Sequence, residues 1–236
     1  MNWQSKILKD LTWSETIINR EGKQKVADQI AEKVKDGDII GVGSGSTVYL
    51  ALFSISKKIA AEKLSIKAIP TSFEISLTCI SLGIPLTNMI EHKPDWLFDG
   101  ADEVDPNKNL IKGRGGALFK EKLLMNSSEM NFIIVDDSKL VTNLGTNFPV
   151  PIEVFPQSLL YVESKLKDLG ANSLSLRLAK GKDGPAITEN GNFLLDARFN
   201  EIPNDLENKI KLITGVIESG LFIGYNVEVL VASNNP

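Results

Sequence analysis

The chain is poor in the side chains on which many enzymes depend. In 236 residues it has one cysteine, Cys79, and one histidine, His92. A single cysteine excludes any intrachain disulfide and any cysteine-rich metal site, and a lone histidine excludes multi-histidine zinc sites. Cys79 lies in the apolar stretch 77–82, where a packed thiol is a simpler reading than a nucleophile. His92 falls in the polar run Glu91-His92-Lys93-Pro94-Asp95, a setting for a solvated ring. Any general base is therefore expected to be a carboxylate, a lysine or a tyrosine. Long apolar runs are missing too, since none approaches the roughly 18 residues of a membrane-spanning helix. Residues 1–15 are broken by charges and hold no signal-peptide core, so a soluble, unexported, cytoplasmic protein with no membrane partner is expected. Nor is there an excess of basic charge. Lys and Arg total 26 against 30 Asp and Glu, a net charge of −4 with the signs interspersed, which gives nucleic acid no footprint.

What is present is ordinary for a globular chain: 42% apolar residues and 18 glycines, enough for a sizeable core. At about 150 residues per domain, the length allows one large domain or two unequal ones. Val26, Ile30 and Val34 recur every four residues among Lys and Glu, which predicts an amphipathic helix over 20–35. The buried-strand run Ile39-Ile40-Gly41-Val42 leads into Gly43-Ser44-Gly45-Ser46-Thr47 and then a helix over 48–60. Strands at 65–69, 96–98 and 132–135 and helices at 73–82 and 117–126 continue the alternation, predicting a Rossmann-like, mainly parallel α/β sheet. After Phe148-Pro149-Val150-Pro151 the pattern becomes strand 152–155, helix 157–169, strand 174–188 with a loop inside it, strand 193–195, helix 205–213 and strand 216–223. Asn190-Gly191 predicts a type I′ hairpin turn, and the βαββαβ order is that of a small split-βαβ, ferredoxin-like α+β domain. The expected division is 1–148 plus 224–236 for the first domain and 149–223 for the second, with 227–232 a strand able to rejoin the first sheet.

Four stretches can carry chemistry. Glycines at 41, 43 and 45 turn the chain and present backbone N–H groups, and Ser46 and Thr47 add hydroxyls where a helix begins. Such a loop suits a phosphate, and a plain tight turn with a helix cap explains it equally well. Asp99-Gly100-Ala101-Asp102-Glu103 follows a strand, where a parallel sheet binds its ligands; an acidic surface turn and a magnesium site are the alternatives. Glu121 falls at the centre of a helix face made by Ala117, Leu118, Leu124 and Met125, flanked by Lys120 and Lys122. It reads either as a general base in a dry pocket or as a first-turn glutamate welcomed by the helix dipole. Asp136-Asp137-Ser138-Lys139 also ends a strand, and Lys139 is a substrate cation or an ordinary surface charge.

Together these runs resemble ribose-5-phosphate isomerase of the A type. The matching residues are 41–47, 99–103, 111–117 with Glu121-Lys122, 137–139, Leu144-Gly145 with Phe148-Pro149, and 190–192 with Asp196, in order from about Lys23 onward. The resemblance implies interconversion of D-ribose 5-phosphate and D-ribulose 5-phosphate through an enediolate, in the non-oxidative pentose phosphate pathway, with no metal or organic cofactor. It implies that Glu121 is the base, that Lys112 stabilises the enediolate oxygen, and that Asp99 and Asp102 hold sugar hydroxyls and assist ring opening. Ser44, Gly45, Ser46 and Thr47, with Lys23, would take the phosphate; Gly100, Ala101, Gly113, Arg114, Gly115 and Lys139 would line the substrate. A homodimer or homotetramer is implied as well. The chain departs from the family at Arg114, where some members have glycine, and at Ser44, where threonine is common. At Arg114 either the backbone approaches substrate differently or the side chain points to solvent. An amino-sugar phosphate deaminase-like or coenzyme A transferase-like enzyme would share the glycine loop, but not the acidic run together with Lys112 and Glu121. A DNA-binding sugar-phosphate sensor would need a basic helix-turn-helix, for which fewer than about 40 residues precede the first strand.

Overall fold

The computed structural model describes residues 16–232; residues 1–15, read above for a signal peptide, lie outside them. In chain order the helices are α1 (Arg20–Lys33), α2 (Ser46–Glu62), α3 (Phe73–Ser81), α4 (Leu118–Ser127), α5 (Leu159–Asp168) and α6 (Leu206–Lys211). The strands are β1 (Ile39–Val42), β2 (Lys67–Pro70), β3 (Trp96–Asp99), β4 (Glu103–Val104), β5 (Leu110–Ile111), β6 (Met130–Asp136), β7 (Val150–Val154), β8 (Ala171–Leu176), β9 (Phe193–Phe199), β10 (Val216–Ser219), β11 (Leu221–Phe222) and β12 (Glu228–Ala232). They fall into two compact units, the first from the described parts of 1–100, 123–137 and 227–236, the second from 101–122 and 138–226.

The first unit is built on a five-stranded, wholly parallel sheet in the order β12-β6-β3-β1-β2. Parallel strands are covered on both faces, which is why β1 and β3 read as short unbroken apolar runs. Val26, Ile30 and Val34 of the first helix region are buried with Ile40, Val42, Val48, Leu50, Ile55, Phe98 and Ile134 in one core, as their four-residue spacing requires. The chain passes from β1 outward to β2, then returns across β1 to β3. The carboxyl ends of β1 and β3 therefore flank the point where the winding reverses, the place at which open α/β sheets bind ligands. The tail strand β12 pairs in parallel with β6, from Glu228 beside Phe132 to Ala232 beside Asp136.

The second unit holds an antiparallel sheet in the order β10-β7-β9-β8, with α5 between β7 and β8 and α6 between β9 and β10. That is the split-βαβ arrangement. Its core gathers Val150, Ile152, Val154, Val162, Leu166, Leu195, Leu206 and Ile210. A three-stranded sheet, β11-β5-β4, completes the unit.

Three local expectations are corrected. The stretch 216–223, read as one strand, is β10 and β11 in different sheets, because Gly220 turns the corner between them. A Cβ at Gly220 would lie 2.1 Å from the Lys112 carbonyl and 2.7 Å from Pro151, so only glycine fits. The stretch 174–188 is strand through Leu176 and then loop, closed by an isolated bridge between Leu178 and Pro185. The Asn190-Gly191 turn is not type I′. Thr188 N–H donates to the Asn192 carbonyl at 2.9 Å around a three-residue loop in which only Gly191 has positive φ. Residues 101–122 and 138–148, counted above with the first domain, cluster with the second unit, because β4 and β5 join β11 and not the parallel sheet.

Candidate active site

The first unit gathers Lys23, Ser44, Gly45, Ser46, Thr47, Asp99 and Gly100. Helix α2 begins at Ser46 behind Gly45, which has φ +102° and no side chain with which to cap, so the helix offers its first N–H groups to an anion. Lys23, 8% exposed on α1, reaches the Ser46 hydroxyl at 3.2 Å and the Asp136 carboxylate at 3.1 Å. An ammonium and a hydroxyl thus meet at a helix N-terminus. Asp99, fully buried at the end of β3, accepts the Ser44 N–H at 3.0 Å and the Gly100 N–H at 2.7 Å through Oδ1. Gly43 makes this approach possible, since a Cβ there would lie 1.9 Å from Asp99 Cγ.

The second unit gathers Asp102, Lys112, Gly113, Arg114 and Glu121, and carries Ala101, Gly115 and Lys139. Lys112 Nζ stands 3.4 Å from Glu121 Oε2, and both side chains are 3% exposed. Leu118, Leu124 and Met125 are buried beside Glu121 on α4, the face its spacing predicts. The glutamate's cation is Lys112, however, and neither flanking lysine. Lys120 pairs with Glu189, and Lys122 turns inward to Glu207 and Glu218. Burial pushes the Asp102 carboxyl above the usual carboxylate range, against the pull of Lys112 and of the Arg114 N–H at 3.2 Å. Arg114 points outward, its guanidinium 5.3 Å from the Phe148 ring centre, and the Lys139 ammonium lies 5.3 Å from the same ring.

Several supporting residues escape a reading by motif. Asp136, which holds Lys23, looks in sequence like one more acid in a run of two. Glu103, fully buried, accepts the N–H groups of Gly145, Asn147 and Phe148 at 2.5–2.7 Å and so orders the loop that carries Phe148. Within the acidic run 99–103 it is thus a residue that holds a loop. Arg177 pairs with Asp196 and donates to the carbonyls of Gly113 and Arg114, fixing the loop before α4. Glu153, also fully buried, ties Thr188, Asn190 and Asn192. Cys79 is a packed thiol, fully buried, which pushes its pKa up to about 12. His92 is half-buried and not simply solvated: its ring is held between Thr87 at 2.8 Å and Lys67 at 3.3 Å. Among the described residues no group of three or more His, Cys, Asp and Glu is placed to hold a metal ion.

Chemically, the second unit offers a carboxylate able to accept a proton, an ammonium able to stabilise an oxyanion, and an acid whose burial favours its protonated form. The first offers an ammonium, hydroxyls and helix N–H groups able to hold an anion. Residues 67–236 match the family model described as ribose 5-phosphate isomerase A (phosphoriboisomerase A). A ribose-5-phosphate isomerase A from Methanothermobacter thermautotrophicus is 42% identical over 86% of this chain and 89% of its own. The structure of ribose 5-phosphate isomerase A from Methanocaldococcus jannaschii superposes with a TM-score of 0.88 at 40% identity, covering 92% of this chain and 96% of that one. A D-ribose-5-phosphate isomerase solved in complex with phospho-erythronic acid gives 0.88 at 38% identity, over 92% and 96% of the two chains. With 170 of its 236 residues matched by the family model, and with its fold and most of its length in common with these proteins, the chain belongs to the ribose 5-phosphate isomerase A family.

Proposed function

We propose that Glu121 and Lys112 are the working pair with which this chain interconverts D-ribose 5-phosphate and D-ribulose 5-phosphate, a step of the non-oxidative pentose phosphate pathway. The observation that carries the assignment is the buried contact of 3.4 Å between Lys112 Nζ and Glu121 Oε2. In the open-chain aldose the C2 hydrogen is weakly acidic because it neighbours the C1 carbonyl. Glu121 takes it; the electron pair forms a C1–C2 double bond, and the charge passes to O1, where Lys112 stabilises it. Returning the proton to C1, with transfer of the O2 hydrogen to O1, completes the ketose. No electron is gained or lost overall, so the scheme needs no redox cofactor, and the Lys112 ammonium supplies at O1 the positive charge that a metal ion could otherwise bring. Asp102, drawn toward its protonated form by burial, suits that hydroxyl proton and, with Asp99, the opening of the sugar ring. Lys23 with residues 44–47 takes the phosphate, and Gly100, Ala101, Gly113, Arg114, Gly115 and Lys139 line the sugar. The phospho-erythronic acid complex of the 38%-identical relative supports this ligand class, because a carboxylate on a phosphorylated polyol reproduces the planar charge of an enediolate.

The cytoplasm is the proposed place of action, in keeping with the metabolic reaction proposed. No helix of the described residues is long and apolar enough to cross a membrane. A homodimer or homotetramer is the proposed assembly, as the family resemblance implies. The deciding experiment is an isomerase assay on D-ribose 5-phosphate in EDTA. Wild type should turn over and Glu121→Gln should lose at least about 10²-fold in kcat while still binding substrate. Lys112→Met should depress kcat, and an effect on KM alone would make Lys112 a binding residue only.

A further inference from the structure

One five-residue corner of the second unit holds both members of the Lys112–Glu121 pair. On one side, β5 runs antiparallel to β11, with Ile111 beside Leu221, and the Lys112 N–H donates to the Gly220 carbonyl at 2.9 Å. Gly220 is in turn fixed by its own N–H to the Pro151 carbonyl at 2.7 Å. On the other side, the residue after Glu121 is Lys122, 4% exposed, and its ammonium reaches Glu218 Oε1 at 2.9 Å and the Leu221 carbonyl at 2.7 Å. Glu207 takes the same ammonium at 2.6 Å while accepting the Ile223 N–H at 2.7 Å and the Tyr225 hydroxyl at 3.0 Å. Glu218 also accepts the Ser219 N–H at 2.9 Å and the Lys211 ammonium at 3.0 Å, so its oxygens are held from both ends. The Phe222 ring faces both lysines, 4.7 Å from the Lys122 ammonium and 5.8 Å from that of Lys112.

A buried lysine between two carboxylates is a poor way to gain stability, since apolar residues of the same volume often do as well or better. It does fix direction. Neighbouring positions on a helix point about 100° apart, so holding Lys122 at the corner sets the rotation of α4 and with it the aim of Glu121. We infer that the corner Glu218–Phe222 sets the distance and orientation of the proton-transferring pair, with Lys122, Glu218 and Gly220 as positioning residues that do not touch substrate. The inference rests on the assignment of Glu121 and Lys112 proposed above and adds to it how the pair is held.

Two variants of the full chain test it beside Glu121→Gln. Gly220→Ala forces the corner open, because its Cβ would fall 2.1 Å from the Lys112 carbonyl. Glu218→Gln keeps every shape and leaves Lys122 paired with Glu207, so it weakens the tie without stranding a charge. Each is checked for folding by circular dichroism and assayed with ordinary and C2-deuterated D-ribose 5-phosphate. Misplacing reacting groups slows the chemical step, so Gly220→Ala should lose at least about 10-fold in kcat with KM held within about threefold. Glu218→Gln should lose about threefold in the same direction, and in both the isotope effect should rise as proton transfer becomes limiting. A folded variant with wild-type kcat and isotope effect overturns the inference; if Gly220→Ala does not fold, Glu218→Gln decides alone. Near-normal turnover by Glu121→Gln removes the base assignment and this inference with it. Collapse of Glu121→Gln beside two unaffected corner variants removes the inference only.

Discussion

Lys122→Met asks how strongly the ion network beneath α4 is held together. Its ammonium has three oxygen partners within 2.9 Å, and Glu207 and Glu218, 11% and 9% exposed at the side chain, have little water to fall back on. Removing one partner of a buried pair costs about 3–5 kcal/mol. Lys211 remains on Glu218, and Tyr225 and the Ile223 N–H remain on Glu207, which favours the lower end, about 3 kcal/mol. In a chain of this length each kcal/mol lowers the melting temperature by about 2–4 °C, so thermal unfolding near pH 7 should move down by about 6–12 °C. The deficit should depend on pH. Burial pushes the Glu218 carboxyl up, but Lys122, with help from the Ser219 N–H and Lys211, outweighs burial and holds it below the usual range. A carboxyl lowered by folding contributes stability above its unfolded value, 4.5, and loses it as pH falls through the lower folded value. Without Lys122 that contribution is gone, so wild type and variant should converge on acidification below about pH 4.5. Replacing Glu207 and Glu218 with glutamine in the Lys122→Met background should recover most of the loss near neutral pH. A melting temperature within about 2 °C of wild type, or a deficit as large at pH 4 as at pH 7, would refute the electrostatic account.

Asp102→Asn should stabilise the chain near neutral pH and lower turnover by at least about 10-fold. A carboxyl raised by folding gives stability that is fully present below its unfolded pKa and is lost as pH rises through the folded one; the stabilisation should therefore vanish in acid, and a lower melting temperature than wild type near pH 7 would refute it. Gly43→Ala drives a methyl group into Asp99, and overpacking together with disturbed hydrogen bonds to Ser44 and Gly100 should cost at least about 3 kcal/mol and most of the activity, read by thermal unfolding and assay. Cys79, buried and with its pKa near 12, should resist a thiol reagent until the chain unfolds; rapid labelling of the native protein would contradict its burial.

How much of this was legible in the sequence follows from the range over which each signal acts. The four-residue spacing of Val26, Ile30 and Val34, the apolar β1, the βαββαβ order and the tail strand were readable because periodicity and turn chemistry are local. So was the odd placement of Glu121 on an apolar face. Its partner was not, since Lys112 is brought to it by a strand of two residues, too short to show any alternation. Lys122 read only as a lysine flanking Glu121, because its carboxylates lie 85 and 96 residues away. Glu103 misled in the opposite way, sharing a run with Asp99 and Asp102 while serving three N–H groups more than 40 residues downstream. Gly220 carried no signal at all, because the need for glycine arises only where the Lys112 carbonyl passes.

The position of β12 at the far edge of the parallel sheet decides the order in which the protein can be finished during synthesis. The second unit's residues are all made by position 226, yet the sheet begun at Ile39 lacks its last strand until position 232. Between the end of β6 at Asp136 and the end of β12 at Ala232, the ribosome adds 96 residues, about 5–20 s of elongation. Throughout that interval the backbone of Phe132 to Val135, an apolar stretch of β6, presents an open edge able to pair with another chain. The unit started first is thus completed after the second, and damage to β12 should show itself as lost yield in the cell before it shows as lost catalysis.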